Sequence, residues 1–267
     1  MSATARGSRV LVVGALGRMG ERVRAALADT DDLVLGAALE GAGHPGLATP
    51  LEEGVSVTED LGKALDACDV AIDFSLPDST LALIRAAARS GTPCVVGTTG
   101  FSDAQRAELS ALGERLPLVW APNFSVAVNV LAELVHRAAE LLGPAYDAEI
   151  VELHHSAKRD APSGTALWLG RAVAEGRGQG LDEHAVLGRS GDTGARPEGA
   201  IGIQALRGGD NPGEHTVLFL GSGERLELSH RAFTRDHFAR GAVRAARWLI
   251  GRPPGLYGMS QVLGLER

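Results

Sequence analysis

Two histidines, a lysine, an acid and a proline–glycine turn fall within fifteen residues, Glu152-Leu-His-His-Ser-Ala-Lys-Arg-Asp-Ala-Pro-Ser-Gly-Thr-Ala166. Imidazole and ammonium groups exchange protons, so the segment carries the side chains of acid–base chemistry. Val151, Leu153 and the alternation before them predict a strand from Ala148 to about His155. Ser163-Gly164-Thr165 then opens an apolar-periodic run, Ala166 to Ala174, that predicts a helix with Ser163 as its N-cap. A helix N-terminus presents unpaired backbone N–H groups and the positive end of a dipole, which suits a carboxylate. Neighbouring residues of a strand face opposite ways, so His154 and His155 share a site only if one of them lies past the strand end.

Lys158 stands out by residue type. Of 26 basic residues only Lys63 and Lys158 are lysines; the others are arginines. Arginine keeps its proton near neutral pH, whereas a lysine can give one up. Lys158 is therefore the candidate for chemistry, and Lys63 falls in a surface helix.

The elements that must position these groups are legible upstream. Arg9 to Val13 is an apolar strand, followed at once by Gly14-Ala-Leu-Gly-Arg-Met-Gly20, a GxxGxxG spacing. Met19 to Ala28 reads as a helix and Leu33 to Leu39 as a second strand, ending at Glu40. In such a βαβ unit the glycines let a pyrophosphate approach the helix N-terminus, and the later acid accepts from ribose hydroxyls. Arg18 is placed to support the phosphates. After a glycine-rich loop from Gly41 to Gly54, strands at Asp69–Ser75, Pro93–Gly97 and Leu118–Ala121 alternate with helices at Asp78–Ser90, Ser102–Glu114 and Val126–Leu142. That rhythm predicts a parallel sheet covered on both faces, with ligands at the carboxyl ends of its strands. Phe74-Ser75, Gly97-Thr98-Thr99-Gly100 and Ala121-Pro122-Asn123-Phe124 fall there.

The texture changes after about Tyr146. An irregular stretch spans Gly176 to Glu198, and strands follow at Ile201–Leu206, His215–Leu220 and Arg225–Arg231, the last two joined through Gly221-Ser-Gly223. This predicts a second domain of α+β type with a mixed or antiparallel sheet. Arg235 to Ile250 is an amphipathic helix that Pro253-Pro254 ends.

The 267 residues suffice for one large or two ordinary domains, and the net charge of −7 argues against nucleic acid or an anionic membrane as partner. No apolar run reaches spanning length and the N-terminus lacks a signal-peptide core, so a cytoplasmic location is expected. Cys68 and Cys94 are expected as reduced, buried thiols. With no HExxH and no clustered cysteines, no metal site is expected.

The segment HHSAKRDAPSGTA resembles the signature of the 4-hydroxy-tetrahydrodipicolinate reductase (dihydrodipicolinate reductase) family of bacterial lysine biosynthesis. The resemblance extends over nearly the whole chain, through Gly14–Gly20, Gly97–Gly100, Asn123–Val126, Arg207–Gly209, Gly213–His215, His230–Ala232, Phe238–Gly241 and Gly255–Tyr257. It implies a homotetramer of two-domain subunits. A Rossmann-like parallel sheet would form the nucleotide domain from residues 1–125, to which about 235–267 return. A smaller α+β domain, residues 126–234, would bind substrate and carry the oligomerisation sheet. The resemblance makes His154 a proton donor or acceptor and Lys158 the proton donor. It gives the substrate dicarboxylate to His155, Gly164 and Thr165. It gives the nicotinamide nucleotide to Gly14, Ala15, Leu16, Gly17, Arg18, Met19, Glu40, Gly97, Thr98, Thr99, Ala121, Pro122, Asn123 and Phe124. Many relatives place Arg after the acid matched to Glu40, where it meets the 2′-phosphate of NADPH. This chain has Gly41, so NADH is expected to serve at least as well as NADPH. Two other readings compete: a reductase of the same fold acting on another small dicarboxylate or imine, and a non-catalytic nucleotide sensor. The intact His154, Lys158 and Gly164-Thr165 set disfavours the sensor, which needs no proton donor.

Overall fold

In the computed structural model, which describes residues 7–265, the chain divides into two compact units, Met1–Val126 with Asp236–Arg267 and Ala127–Arg235. In chain order the elements are β1 (Ser8–Val13), α1 (Arg18–Ala28), β2 (Leu33–Leu39), β3 (Val57–Thr58), α2 (Leu61–Asp66), β4 (Val70–Asp73), α3 (Pro77–Ser90), β5 (Cys94–Val96), α4 (Asp103–Gly113) and β6 (Pro117–Trp120). They continue as α5 (Val126–Leu142), β7 (Asp147–His154), α6 (Gly164–Gly176), β8 (Ala185–Val186), β9 (Ile201–Arg207), β10 (Glu214–Leu220) and β11 (Arg225–Arg231). The chain closes with α7 (Asp236–Leu249), β12 (Gly255–Tyr257) and α8 (Met259–Leu263).

The first unit is a seven-stranded parallel sheet in the order β12-β6-β5-β4-β1-β2-β3, the Rossmann-like architecture expected. Both faces are covered, so its central strands are buried on both sides: all four residues of β4 are buried, three of them apolar. The period-two pleat splits β1 between two cores. Val10 and Val12 pack in the cluster that includes Val23 of α1 and Val243 of α7. Leu11 and Val13 pack with Ile84 of α3 and Leu109 of α4. Cys68 and Cys94 lie buried in this second core as free thiols, and burial raises Cys68 to about 11.

Two helices of this unit begin where a side chain partners their first N–H groups. Ser102 and Gln105 form a reciprocal capping box at α4, and Asp60 accepts from the Lys63 amide at α2. Lys63 itself is exposed and pairs with Asp60 at 3.4 Å. The glycine-rich loop has local order: Pro50 and Ser56 form a bridge around one 3-10 turn at Glu52–Gly54.

The second unit is a five-stranded mixed sheet, order β11-β10-β7-β9-β8. Its central strand β7 runs antiparallel to β10 and parallel to β9. β10 and β11 form the expected hairpin, closed by the Gly221 N–H to Glu224 carbonyl bond. Ala148, Ile150, Val217 and Phe219 face α5 and α6 and form the core with Leu169 and Val173. Among the described residues no helix is long and apolar enough to cross a membrane.

One contact in the first unit is intolerant of any side chain. A Cβ on Gly20 would lie 2.0 Å from the Gly14 carbonyl oxygen. Gly20→Ala must push α1 away from the turn, a cost of about 1–3 kcal/mol. A denaturant midpoint equal to that of the parent chain would contradict this packing.

Candidate active site

The second unit gathers its candidate acid–base groups at the C-terminal end of β7. The strand ends at His154, so His155 does fall beyond it, pinned by its N–H to the Asn211 carbonyl at 2.8 Å. The pleat that puts Ile150 in the core puts Glu152 and His154 on the same face. Neither was given a partner by sequence reasoning. Register supplies them: Arg207 of β9 lies beside His154, and His215 of β10 lies opposite Glu152.

Glu152 is fully buried. Its Oε2 accepts from His154 Nδ1 at 2.5 Å and Arg207 Nη1 at 2.8 Å. Its Oε1 accepts from Arg207 Nη2 at 2.9 Å and the Ser163 N–H at 3.0 Å. Burial by itself would raise this carboxyl, but the bonds from Arg207, His154 and Ser163 outweigh it and hold it below the usual range. Burial keeps His154 below the ordinary histidine value despite the carboxylate, leaving the ring neutral near pH 7. His215 Nε2 lies 3.1 Å from Ser163 Oγ, and its ring stands edge-to-face with His154 at 5.2 Å.

Ser163 caps α6 as expected, its Oγ accepting the Ala166 N–H at 3.1 Å. Gly164 opens the helix, and nothing lies within 4 Å of where its Cβ would be. Thr165 follows it, half-buried. Lys158 donates from Nζ to both Asp160 oxygens, at 2.9 and 2.8 Å, and its hydrogen bond holds Asp160 below the usual carboxylate range. Arg207 also donates to the Asp160 carbonyl, so one guanidinium ties the loop to β7. His154, His155, Lys158, Gly164 and Thr165 thus share one end of one unit.

The nucleotide candidates lie at the carboxyl ends of β1, β2, β5 and β6 in the first unit. Gly14 takes φ +68°, Gly17 is the N-cap of α1 without any side-chain cap, and both Gly17 and Arg18 are exposed. Ala15 is buried, while Leu16 and Met19 pack partly against the core. The Leu16 N–H donates to Glu40 Oε1 at 2.7 Å, so the acid reaches the glycine turn itself. Beyond Glu40 the Gly41 position is open, with no atom within 4 Å of a Cβ. The start of α1, which no side chain caps, and the open turn fit a dinucleotide phosphate.

The other strand ends are partly turned inward. Thr98 is buried with its hydroxyl 2.9 Å from Thr80, which also bonds Asp73. Its carbonyl accepts from Trp120 Nε1 at 3.4 Å, and Thr99 beside it is exposed. Gly97 is required by packing, because a Cβ there would strike the Phe74 ring at 2.0 Å. Phe124 is a core side chain, edge-to-face with Phe74, next to buried Ala121, exposed Pro122 and half-buried Asn123, whose Oδ1 accepts the Ser125 N–H at 2.8 Å. Asp73, buried at the end of β4 and accepting from Ser75 and Thr80, went unnoticed in the sequence because an acid inside an apolar strand has no periodic signature.

A parallel sheet with an uncapped glycine turn in one unit and a buried acid–base cluster in the other define a nicotinamide-nucleotide-dependent oxidoreductase. Family models described as dihydrodipicolinate reductase, N-terminus and C-terminus, match residues 8–124 and 127–263. The 4-hydroxy-tetrahydrodipicolinate reductase of Thiobacillus denitrificans is 49% identical over 264 residues, covering 97% of this chain and 99% of that one. The enzyme of the same name from Syntrophotalea carbinolica is 47% identical over 267 residues, 97% and 99% covered. A solved dihydrodipicolinate reductase from Paenisporosarcina sp. TG-14, with dipicolinate bound, superposes with a TM-score of 0.78 at 27% identity, covering 96% and 99% of the two chains. The chain belongs to the dihydrodipicolinate reductase family.

The cluster also fixes how this unit responds to acid. Burial pushes His215 down to about 3, with His154 adding to the shift. The unfolded ring takes a proton near 6.5, so this contribution is fully present above that pH and is lost as pH falls towards 3. One such proton costs at most about 1.4 kcal/mol per pH unit. His215→Asn should flatten the decline of the thermal midpoint between pH 6.5 and 5. An identical slope in both proteins would assign that decline to other groups.

Proposed function

We propose that the chain reduces 4-hydroxy-tetrahydrodipicolinate to tetrahydrodipicolinate, the step of diaminopimelate and lysine biosynthesis for which its relatives are named. The observation that carries this reading is the joint presence, in one unit, of the His154–Lys158 pair and the open N-terminus of α6. The nicotinamide supplies the hydride when bound. Gly14 to Met19, Glu40, Gly97 to Thr99 and Ala121 to Phe124 hold the nucleotide, with Thr98 and Phe124 acting through their backbones.

On the substrate side, the amides of Gly164 and Thr165 and the ring of His155 hold the dicarboxylate. The dipole end of α6 and the open space at Gly164 support this assignment. The substrate hydroxyl leaves as water through a conjugated cyclic imine. Hydride addition to that imine leaves an electron pair, which takes a proton from the Lys158 ammonium. Asp160 keeps that ammonium at the site until the substrate competes for it. His154 assists the proton transfers beside it.

NADH serves at least as well as NADPH in this reading, since Glu40 is followed by Gly41 rather than a cation. We assign the second unit's sheet to homotetramer assembly. Its face away from the helices carries Val151, Leu153, Leu206 and Leu218, none of them fully buried in the single chain.

A coupled assay, in which dihydrodipicolinate synthase generates the unstable substrate in place, tests the reaction through loss of nicotinamide absorbance. Turnover is expected, falling about 10²–10⁴-fold in Lys158→Ala. Nucleotide binding without turnover would move the reading to another dicarboxylate or imine. A kcat/KM much higher with NADPH than with NADH would overturn the inference from Gly41.

A further inference from the structure

The four hydrogen bonds on Glu152 leave its proton inventory little freedom. Arg207 and the Ser163 backbone can only donate, and they place two donors on Oε1 and one on Oε2, where His154 Nδ1 is the fourth partner. A carboxyl proton has room only on Oε2 towards His154, and the Arg207 guanidinium, bonded to both oxygens, favours the carboxylate over that form, so the group is ionised and acts only as an acceptor. The ring nitrogen of His154 that meets it must therefore carry hydrogen. When the ring is neutral, its other nitrogen, Nε2, holds a lone pair.

The surroundings of Nε2 agree with a nitrogen kept open to a ligand. A Cβ on Gly213 would come within 2.8 Å of it, and Gly213 sits at φ +149°, where glycine is favoured. The same carboxylate also anchors the anion end of the site. Its Oε1 holds the amide of Ser163, whose hydroxyl in turn caps α6 and meets His215.

We propose that Glu152 is a positioning residue that sets the tautomer of His154 and, through Ser163, the place of the α6 N-terminus. This rests on the reading of His154 and Lys158 as the acid–base pair. It divides their roles: neutral His154 accepts at Nε2, and Lys158 is the group that gives the proton. A structural ion pair between Glu152 and Arg207 alone would stabilise the fold but impose no tautomer. Glu152→Gln separates the two. The amide keeps the size of the carboxyl group but offers a donor of its own, so His154 can present Nδ1 as an acceptor and carry its hydrogen on Nε2.

The test is imidazole ¹⁵N–¹H NMR on the full chain labelled at histidine, with His154 assigned through His154→Gln. The parent protein is expected to show the Nδ1–H tautomer near pH 7.5, and Glu152→Gln a shift towards Nε2–H with kcat down by about 10²-fold. An Nε2–H tautomer in the parent protein overturns the proposal even if the variant does not fold. So does a folded variant with unchanged tautomer or with kcat within about twofold of the parent. Failure of the parent protein to turn over the lysine-pathway substrate would strike the functional reading alone, since the tautomer is read without substrate.

Discussion

Removing a carboxylate from water costs several kcal/mol unless donors replace the lost solvent. Glu152 has no solvent exposure, so the second unit must bring donors to it. A strand can offer its own neighbour two residues on, and His154 fills that place. The rest must come from other strands and from the loop. The mixed sheet achieves this by pairing β7 in parallel with β9, which delivers Arg207, while β10, antiparallel on the other side, places His215 against the hydroxyl of Ser163. The loop from His155 to Ser163 then folds back so that its last amide reaches the same carboxylate. Sheet topology, loop path and the start of α6 are all constrained by one buried charge.

The nucleotide unit is governed by close approach rather than by charge. Gly14 turns the chain through a left-handed conformation, and Gly20 lets α1 rest against that turn. No side chain caps the start of α1. Glu40, reaching back from β2 to the Leu16 amide, joins the two strand ends that a dinucleotide spans in this fold. Inside the sheet, Asp73, Thr80 and Thr98 form a second polar knot that ties the ends of β4 and β5 together.

Long elements were legible because their periods are long enough to be counted. β2, α5 and β11 fall at the expected residues, and the hairpin through Gly221 and Gly223 followed from its glycines. The short strands β3, β8 and β12 carry no measurable period and exist by pairing with a neighbour. His154 and Lys158 could be singled out by residue type within one motif. Glu152 lay in that same motif but, as an acid in an alternating strand, gave no hint that its face was the core face. Arg207 and His215 sit 55 and 52 residues from their partners Glu152 and Ser163, a separation that only strand register closes. Thr98 and Phe124 were named as ligand contacts from their place at strand ends, yet packing turns both side chains inward.

The most direct test of this account is a crystal structure with NADH and pyridine-2,6-dicarboxylate, a stable planar analogue of the substrate. One carboxylate of the analogue is predicted on the amides of Gly164 and Thr165, with the analogue beside Lys158 and Glu152 still accepting from His154, Arg207 and Ser163. An analogue bound away from the start of α6, or a His154 ring swung off Glu152 when the site fills, would contradict it.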